Sequence, residues 1–311
     1  MGRLEHLKKT LPKNMQDNAD YPDCQFVVLN YGDEPETNQW IKDNFQQEID
    51  SGRLKYISYS GPKTFLVSHA KNIAHLMADG DIVCNMDADQ YTGKNFAQFL
   101  ADAFDAAEQK KQPIFMRHDT MQMAKSENKD IYQSSGKIAL RKSDFVRLRG
   151  YDETFQGWGG DDAELAIRLR VNGIRQESIP EIFAHGIPHT DDLRVAKLGE
   201  DDRHKSWEKL QRINAERVHP HALATIFINK IRRLTPHIVN ACSGKPTNPD
   251  GFGTTDNLLI NFSSNEQHQS IKQPIHKVTE GYGQAAEAVF TAKEKKRRAD
   301  RAQIPDRENR L

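Results

Sequence analysis

Strand-like apolar runs alternate with helix-spaced segments through the first half of this chain, and that alternation restricts the fold more than any other feature. Gln25-Phe26-Val27-Val28-Leu29-Asn30 is a near-continuous apolar run ending in a turn-like Asn30-Tyr31-Gly32-Asp33. It reads as a buried strand of the parallel type. Trp40, Ile41, Phe45 and Ile49 recur at helical spacing and predict a helix over 38–49. Leu54 to Tyr59 alternates as a strand does, and helices are expected over 68–78 and 95–109. Between those helices lies the short apolar run Asp81-Ile82-Val83-Cys84. Such an order predicts an α/β domain whose mostly parallel sheet is flanked by helices.

Elsewhere the signals are more local. Arg3 to Asn14 reads as a helix stopping near Leu11-Pro12, since proline cannot continue one. A strand is expected over 136–140 and a short helix over 143–148, capped by Ser143. Ala163 to Val171 reads as a helix that stops at Asn172-Gly173. Beyond about residue 216 the composition changes. Ala222 to Val239 is an amphipathic helix in prospect, followed by sequence rich in Gly, Ser, Thr, Asn and Gln. The expected division is therefore a domain over 1–215 and a C-terminal extension over 216–311, an amphipathic helix plus a low-order tail.

Lys and Arg number 44, as do Asp and Glu, so bulk charge gives no reason to expect a nucleic-acid partner. Mean hydropathy is −0.77, and no stretch approaches the roughly 20 apolar residues of a membrane span. Cys24, Cys84 and Cys242 are scattered without metal-ligand spacing. A cytoplasmic location fits them best. The basic run Lys293 to Arg301 offers peripheral contact with anionic lipid at the inner face of the membrane. Its plainer alternative is a solvated end.

Two motifs carry chemistry. Asn85-Met86-Asp87-Ala88-Asp89 is a D-x-D placed directly after the Asp81 to Cys84 run, which would deliver both carboxylates to a strand end. Paired carboxylates suit a hard divalent cation. An EF-hand loop would need Gly and Glu where Thr92 and Gln98 stand. A phosphatase of the aspartate-nucleophile type would need Thr or Val where Tyr91 stands. Gly157-Trp158-Gly159-Gly160-Asp161-Asp162 is a glycine turn presenting an indole and two acids at a helix start. One acid could cap the helix while the other faces a ligand, and the alternative for Trp158 is a core residue.

Together, in this order and spacing, the motifs resemble a GT-A glycosyltransferase of the family 2 kind, with a second half similar to the β-1,4-galactosyltransferases. Arg3-Leu4-Glu5-His6-Leu7, Ala70-Lys71-Asn72, Gly136 to Leu140 and Arg149 to Glu153 extend the resemblance, which runs to about Arg194. It implies the Rossmann-like fold of nucleotide-diphospho-sugar transferases and an inverting transfer of a hexose or N-acetylhexosamine from a UDP-sugar to a glycan acceptor. By the same resemblance, Asp87 and Asp89 would hold Mn²⁺ (or Mg²⁺) with His189, or alternatively His185. Arg3, Asn30, Asp33 and Lys71, with the two aspartates, would bind the donor. Asp162 would be the general base, and Trp158, Gly159 and Asp161 would meet the acceptor. The family also has a first strand ahead of the arginine matched by Arg3, for which Met1-Gly2 leaves no room. A non-catalytic protein binding a nucleotide-sugar or glycan is the alternative that follows.

Overall fold

The computed structural model describes residues 1–61, 63–118, 134–155, 157–217, 222–262 and 269–271. It opens with α1 (Leu4–Asp17), which runs through Pro12 instead of stopping there. Proline removes one helix hydrogen bond, but Pro12 lies on the exposed side, while Leu11, Asn14 and Met15 beside it are buried. Burial of that face carries the helix onward. Then follow β1 (Phe26–Tyr31), α2 (Pro35–Asn44), α3 (Gln46–Asp50) and β2 (Leu54–Tyr59). The single helix expected over 38–49 is thus two, broken at Phe45, which joins Ile41 and Ile49 in one buried cluster.

The chain continues through α4 (Val67–Met77), β3 (Ile82–Cys84), β4 (Gln90–Tyr91), α5 (Phe96–Gln109) and β5 (Ile114–Arg117). Beyond residue 133 come β6 (Ile138–Arg141), α6 (Lys142–Arg147), α7 (Asp161–Val171), β7 (Arg175–Ser178) and β8 (His185–Gly186). The last elements are α8 (Asp192–Val195), α9 (Glu200–Arg217), α10 (Ala222–Cys242), β9 (Thr255–Ile260) and β10 (Gln269–Ile271). Ser143 does not cap α6, whose N-cap position is Arg141.

The strands form mixed sheets, ordered β1-β2-β9-β10 and β3-β6-β5-β7, with β4-β8 as a separate pair. Among the described residues β1–β2 and β5–β7 are parallel, whereas β2–β9, β9–β10, β3–β6, β5–β6 and β4–β8 are antiparallel. The mostly parallel sheet expected from the sequence is therefore corrected to an α/β architecture with mixed sheets. The reason is β6, which runs antiparallel between β3 and β5, together with β9, which runs antiparallel against β2.

Segments beyond residue 216 pack against earlier ones. Strand β9 pairs with β2, Phe252 lies in the same core cluster as Val83 and Leu165, and Asn248 hydrogen-bonds Arg149 and Tyr151. The run Lys293 to Arg301 lies outside the described residues, whereas part of the expected low-order tail forms β9 and β10. No helix among the described residues is long and apolar enough to cross a membrane.

One buried ion pair fixes the approach to the second motif. Arg168, on α7, is 2% exposed and binds both Glu164 oxygens and the carbonyls of Leu148 and Gly150. Removing one member of such a pair strands the other in a dry site, at a cost of about 3–5 kcal/mol. Arg168→Met should therefore lower unfolding free energy by that amount in urea titrations.

Candidate active site

The D-x-D lies in the loop between β3 and β4, braced from two sides. Asn85 donates from Nδ2 to Asp87 Oδ1 at 3.3 Å and to the Gly136 carbonyl at 3.1 Å. Gln90 Nε2 donates to Asp87 Oδ2 at 3.2 Å. On the other side stands one polar face of α1. Thr10 Oγ1 donates to the Ala88 carbonyl at 2.7 Å. Asn14 donates to the Gln90 carbonyl at 3.0 Å and accepts from the Thr92 amide at 2.8 Å. Asn18 donates to Thr92 Oγ1 and accepts from the Ala97 amide. These residues are spaced i, i+4, i+8 and buried, so α1 grips the loop along its length.

Of the two histidines, His189 lies against the D-x-D. Its Nε2 is 2.6 Å from Asp89 Oδ2, and its Nδ1 faces the Thr190 carbonyl at 2.9 Å. His185 instead lies on β8 opposite Tyr91 and is exposed. Burial pushes the Asp89 carboxyl up, but the His189 hydrogen bond and charge, with Arg3 beyond, hold it below the usual range. Asp87 goes the other way, raised by burial and then by the charge of Asp89 despite Lys71. Among the described residues no three His, Cys, Asp or Glu side chains form a ready-made metal centre. Asp87, Asp89 and His189 are two carboxylates and an imidazole, groups chemically suited to a divalent cation, and a cation there would offset the mutual repulsion of Asp87 and Asp89.

At the second motif, glycine is required by the backbone. Gly157, Gly159 and Gly160 have φ of 79°, 79° and 116°, values open to few other residues. Gly160 is the N-cap of α7, correcting the expectation that an aspartate caps it. Asp161 and Asp162 stand in the first turn, where the helix dipole favours negative charge. The loop is held from behind by α9. Ser206 Oγ accepts from the Trp158 amide at 2.9 Å, and Lys209 donates to the Trp158 and Gly159 carbonyls. The Trp158 indole is half-buried against Val195, Leu198 and Leu210, with the Arg194 guanidinium 5.5 Å from its ring centre.

Lys71 joins the two acids. Its Nζ is 2.6 Å from Asp161 Oδ2 and 2.7 Å from Asp162 Oδ1, and lies 4.8 Å from the Tyr151 ring centre. Burial opposes its charge, but Asp161 and Asp162 outweigh that and raise its pKa well above the ordinary value. The Asp162 carboxyl is pushed up to about 7, by burial first and then by Asp161, against the pull of Lys71. The side chain of Asp161 is 6% exposed and that of Asp162 is 24%. Asp162 is thus the acid an incoming group can reach.

Gly136 is where the two motifs meet. A Cβ placed on it would be 3.0 Å from Asp162 Oδ2 and 3.4 Å from Asp87 Oδ2. The two carboxylates therefore flank one point, brought there by β6 lying antiparallel against β3.

The remaining expected residues divide. Arg3 is at the site, with its Nη2 bonded to the Leu193 carbonyl at 2.9 Å, its Nη1 buried without a partner, and Asp89 and Asp87 in its field. Asn30 and Asp33 instead form a network with Asn38, Glu34 and Ser58 in the loop after β1. That loop adjoins the N-terminus, where the Gly2 amide donates to Glu34 Oε1 at 2.6 Å. No described contact joins Asn30 or Asp33 to the aspartates. Thr10, Asn14, Gln90, Gly136 and Lys137 escaped the sequence reading as site residues. Lys137 is fully buried and ties the Tyr91 and Phe183 carbonyls together ahead of β8.

Residues 117–190 match a family described as the N-terminal domain of galactosyltransferase. Over 63 residues the chain is 40% identical to validoxylamine A glucosyltransferase of Streptomyces hygroscopicus subsp. jinggangensis (strain 5008), and equally to that of subsp. limoneus. Glycosyl transfer is the chemistry these likenesses support. The shared stretch is 20% of this chain and spans only 15% and 14% of the length of those two relatives. The galactosyltransferase match covers the segment that holds Gly136, Asp161, Asp162 and His189.

Proposed function

We propose that this protein is a metal-dependent, inverting glycosyltransferase, moving a hexose or N-acetylhexosamine from a UDP-sugar to a glycan acceptor in the cytoplasm. The observation that carries the reading is the juxtaposition at Gly136 of one carboxylate from each motif. A group-transfer site needs a pole that accepts departing negative charge and a pole that activates the incoming nucleophile. Asp87, Asp89 and His189 would hold Mn²⁺ or Mg²⁺, which when bound supplies Lewis-acid stabilisation of the leaving diphosphate.

The chain's own residues supply the rest. The unpartnered Nη1 of Arg3 is a donor for a diphosphate oxygen. Asp162 takes the proton of an acceptor hydroxyl as its oxygen bonds to the anomeric carbon and the bond to UDP breaks, which inverts that centre. Asp161, charge-compensated by Lys71, accepts hydrogen bonds from acceptor hydroxyls, and Gly159 leaves the sugar room beside Trp158. Lys71 acts mainly on the acids, which revises its expected role as a donor contact.

The test is thermal denaturation with UDP, with and without Mn²⁺, followed by release of UDP from a panel of UDP-sugars. A Tm rise that requires both UDP and Mn²⁺ is expected, because a ligand at 100 times its Kd stabilises by about 2.7 kcal/mol. No rise would remove the nucleotide-sugar reading. A rise without turnover of any donor would favour the non-catalytic binding protein.

A further inference from the structure

Beyond Trp158 lies an open groove of about 590 Å³ between α8 and the N-terminal half of α9. Its size falls within the range of roughly 300–1,000 Å³ common for small-molecule sites. Asp192, Val195, Glu200, Asp201, Arg203 and Trp207 are among its lining residues. Trp207 is the unusual member. Helix α9 reads EDDRHKSWEKLQRINAER, a strongly polar sequence. Its buried side is supplied by Ser206 and Leu210. Trp207, three residues before Leu210, stands at the edge of that side and is 36% exposed. Its exposed part is open to a ligand lying in the groove that it lines.

Two further observations indicate what it faces. The lining acids are offset by Arg203 and Lys205, so the groove has no strong excess of either charge. That disfavours an anionic lipid or nucleic acid and suits a neutral, polyhydroxylated ligand. A sugar ring has an apolar C–H face that can lie on an indole and a rim of hydroxyls that pair with carboxylates and guanidinium groups. The groove also adjoins the acceptor end of the site. Val195 belongs both to its wall and to the apolar cluster on which Trp158 packs. Ser206 and Lys209, beside Trp207 on the same helix, brace the glycine-tryptophan loop.

We propose that this groove is an extended acceptor subsite, in which Trp207 stacks on a sugar one or more units away from the reacting hydroxyl. The inference rests on the transferase reading and deepens it. The acceptor is then a carbohydrate chain, and affinity grows with its length.

The test titrates pentasaccharides of glucose, galactose and N-acetylglucosamine, and the matching monosaccharides, into full-length protein containing UDP and Mn²⁺. At least one pentasaccharide should bind tenfold or more tightly than its monosaccharide. Trp207→Ala should remove that gain and Trp207→Tyr should keep most of it. A gain that survives Trp207→Ala overturns the subsite, as does the lack of any gain in all three series. Trp207-dependent self-association in size-exclusion chromatography would also overturn it, assigning the indole to a second copy of the chain. Thermal shift with UDP and Mn²⁺ decides the donor reading separately. Were that absent, a Trp207-dependent length gain would still support glycan binding in the groove.

Discussion

Asp162→Asn is expected to slow transfer by about 10²–10⁴-fold, the usual contribution of a general base, while UDP binding is retained. Asparagine keeps the shape of the side chain and cannot take a proton. It also leaves Lys71 paired with Asp161, so no buried charge is stranded. The pH dependence supplies an independent reading. A base works when deprotonated, and burial together with Asp161 raises the Asp162 carboxyl to about 7. Activity should therefore rise with pH through about 7, and metal at the Asp87 pole should move that limb to lower pH.

The stability consequence has the opposite sign. The folded pKa lies above the unfolded value of about 3.9, so the native state binds the extra proton and loses stability as pH rises from about 4 to about 7. Above that window Asp162→Asn should raise Tm by an amount on the order of a few °C. Near pH 4 the variant and parent should melt alike. A less active and more stable protein at pH 8 would mark Asp162 as a strained functional acid. Full activity in the variant would sink the base assignment.

Sequence periodicity located most elements because their signals are local. Leu54 to Tyr59 is a strand with the expected bounds, and the helix expected over 68–78 runs over 67–77. The glycine-tryptophan motif was legible for the same reason, since three positive-φ glycines leave a compositional trace. What escaped was set by pairing between distant segments. The direction of β6 depends on its neighbours, and four residues carry no mark of it. The face of α1 is similar. Thr10, Asn14 and Asn18 look like solvent-exposed helix residues until β4 is laid against them. Arg3 and His189 were named through resemblance alone, and their physical relation through Asp89 appears only in three dimensions.

Gly136→Ala offers the sharpest test of whether the two poles form one site. The glycine is not among the residues with positive φ, so alanine brings no backbone strain. Its new methyl would press on the Asp162 carboxylate at 3.0 Å, which Lys71 holds in place, and would only touch Asp87 at 3.4 Å, an ordinary contact. Carboxylates moved by a few tenths of an ångström barely change folding energy. Misplacement of reacting groups by about 1 Å can cost roughly 10²-fold in rate, so a smaller shift of Asp162 should cost about tenfold. Gly136→Val, with two further methyls in the same gap, should reach Asp87 as well and cost more still. Reduced kcat in Gly136→Ala, joined by weakened Mn²⁺ dependence in Gly136→Val at nearly constant Tm, is the expected pattern. Parental kinetics in both variants would mean that Asp87 and Asp162 do not act on the same bound sugar, and the proposed transfer would lose its main support.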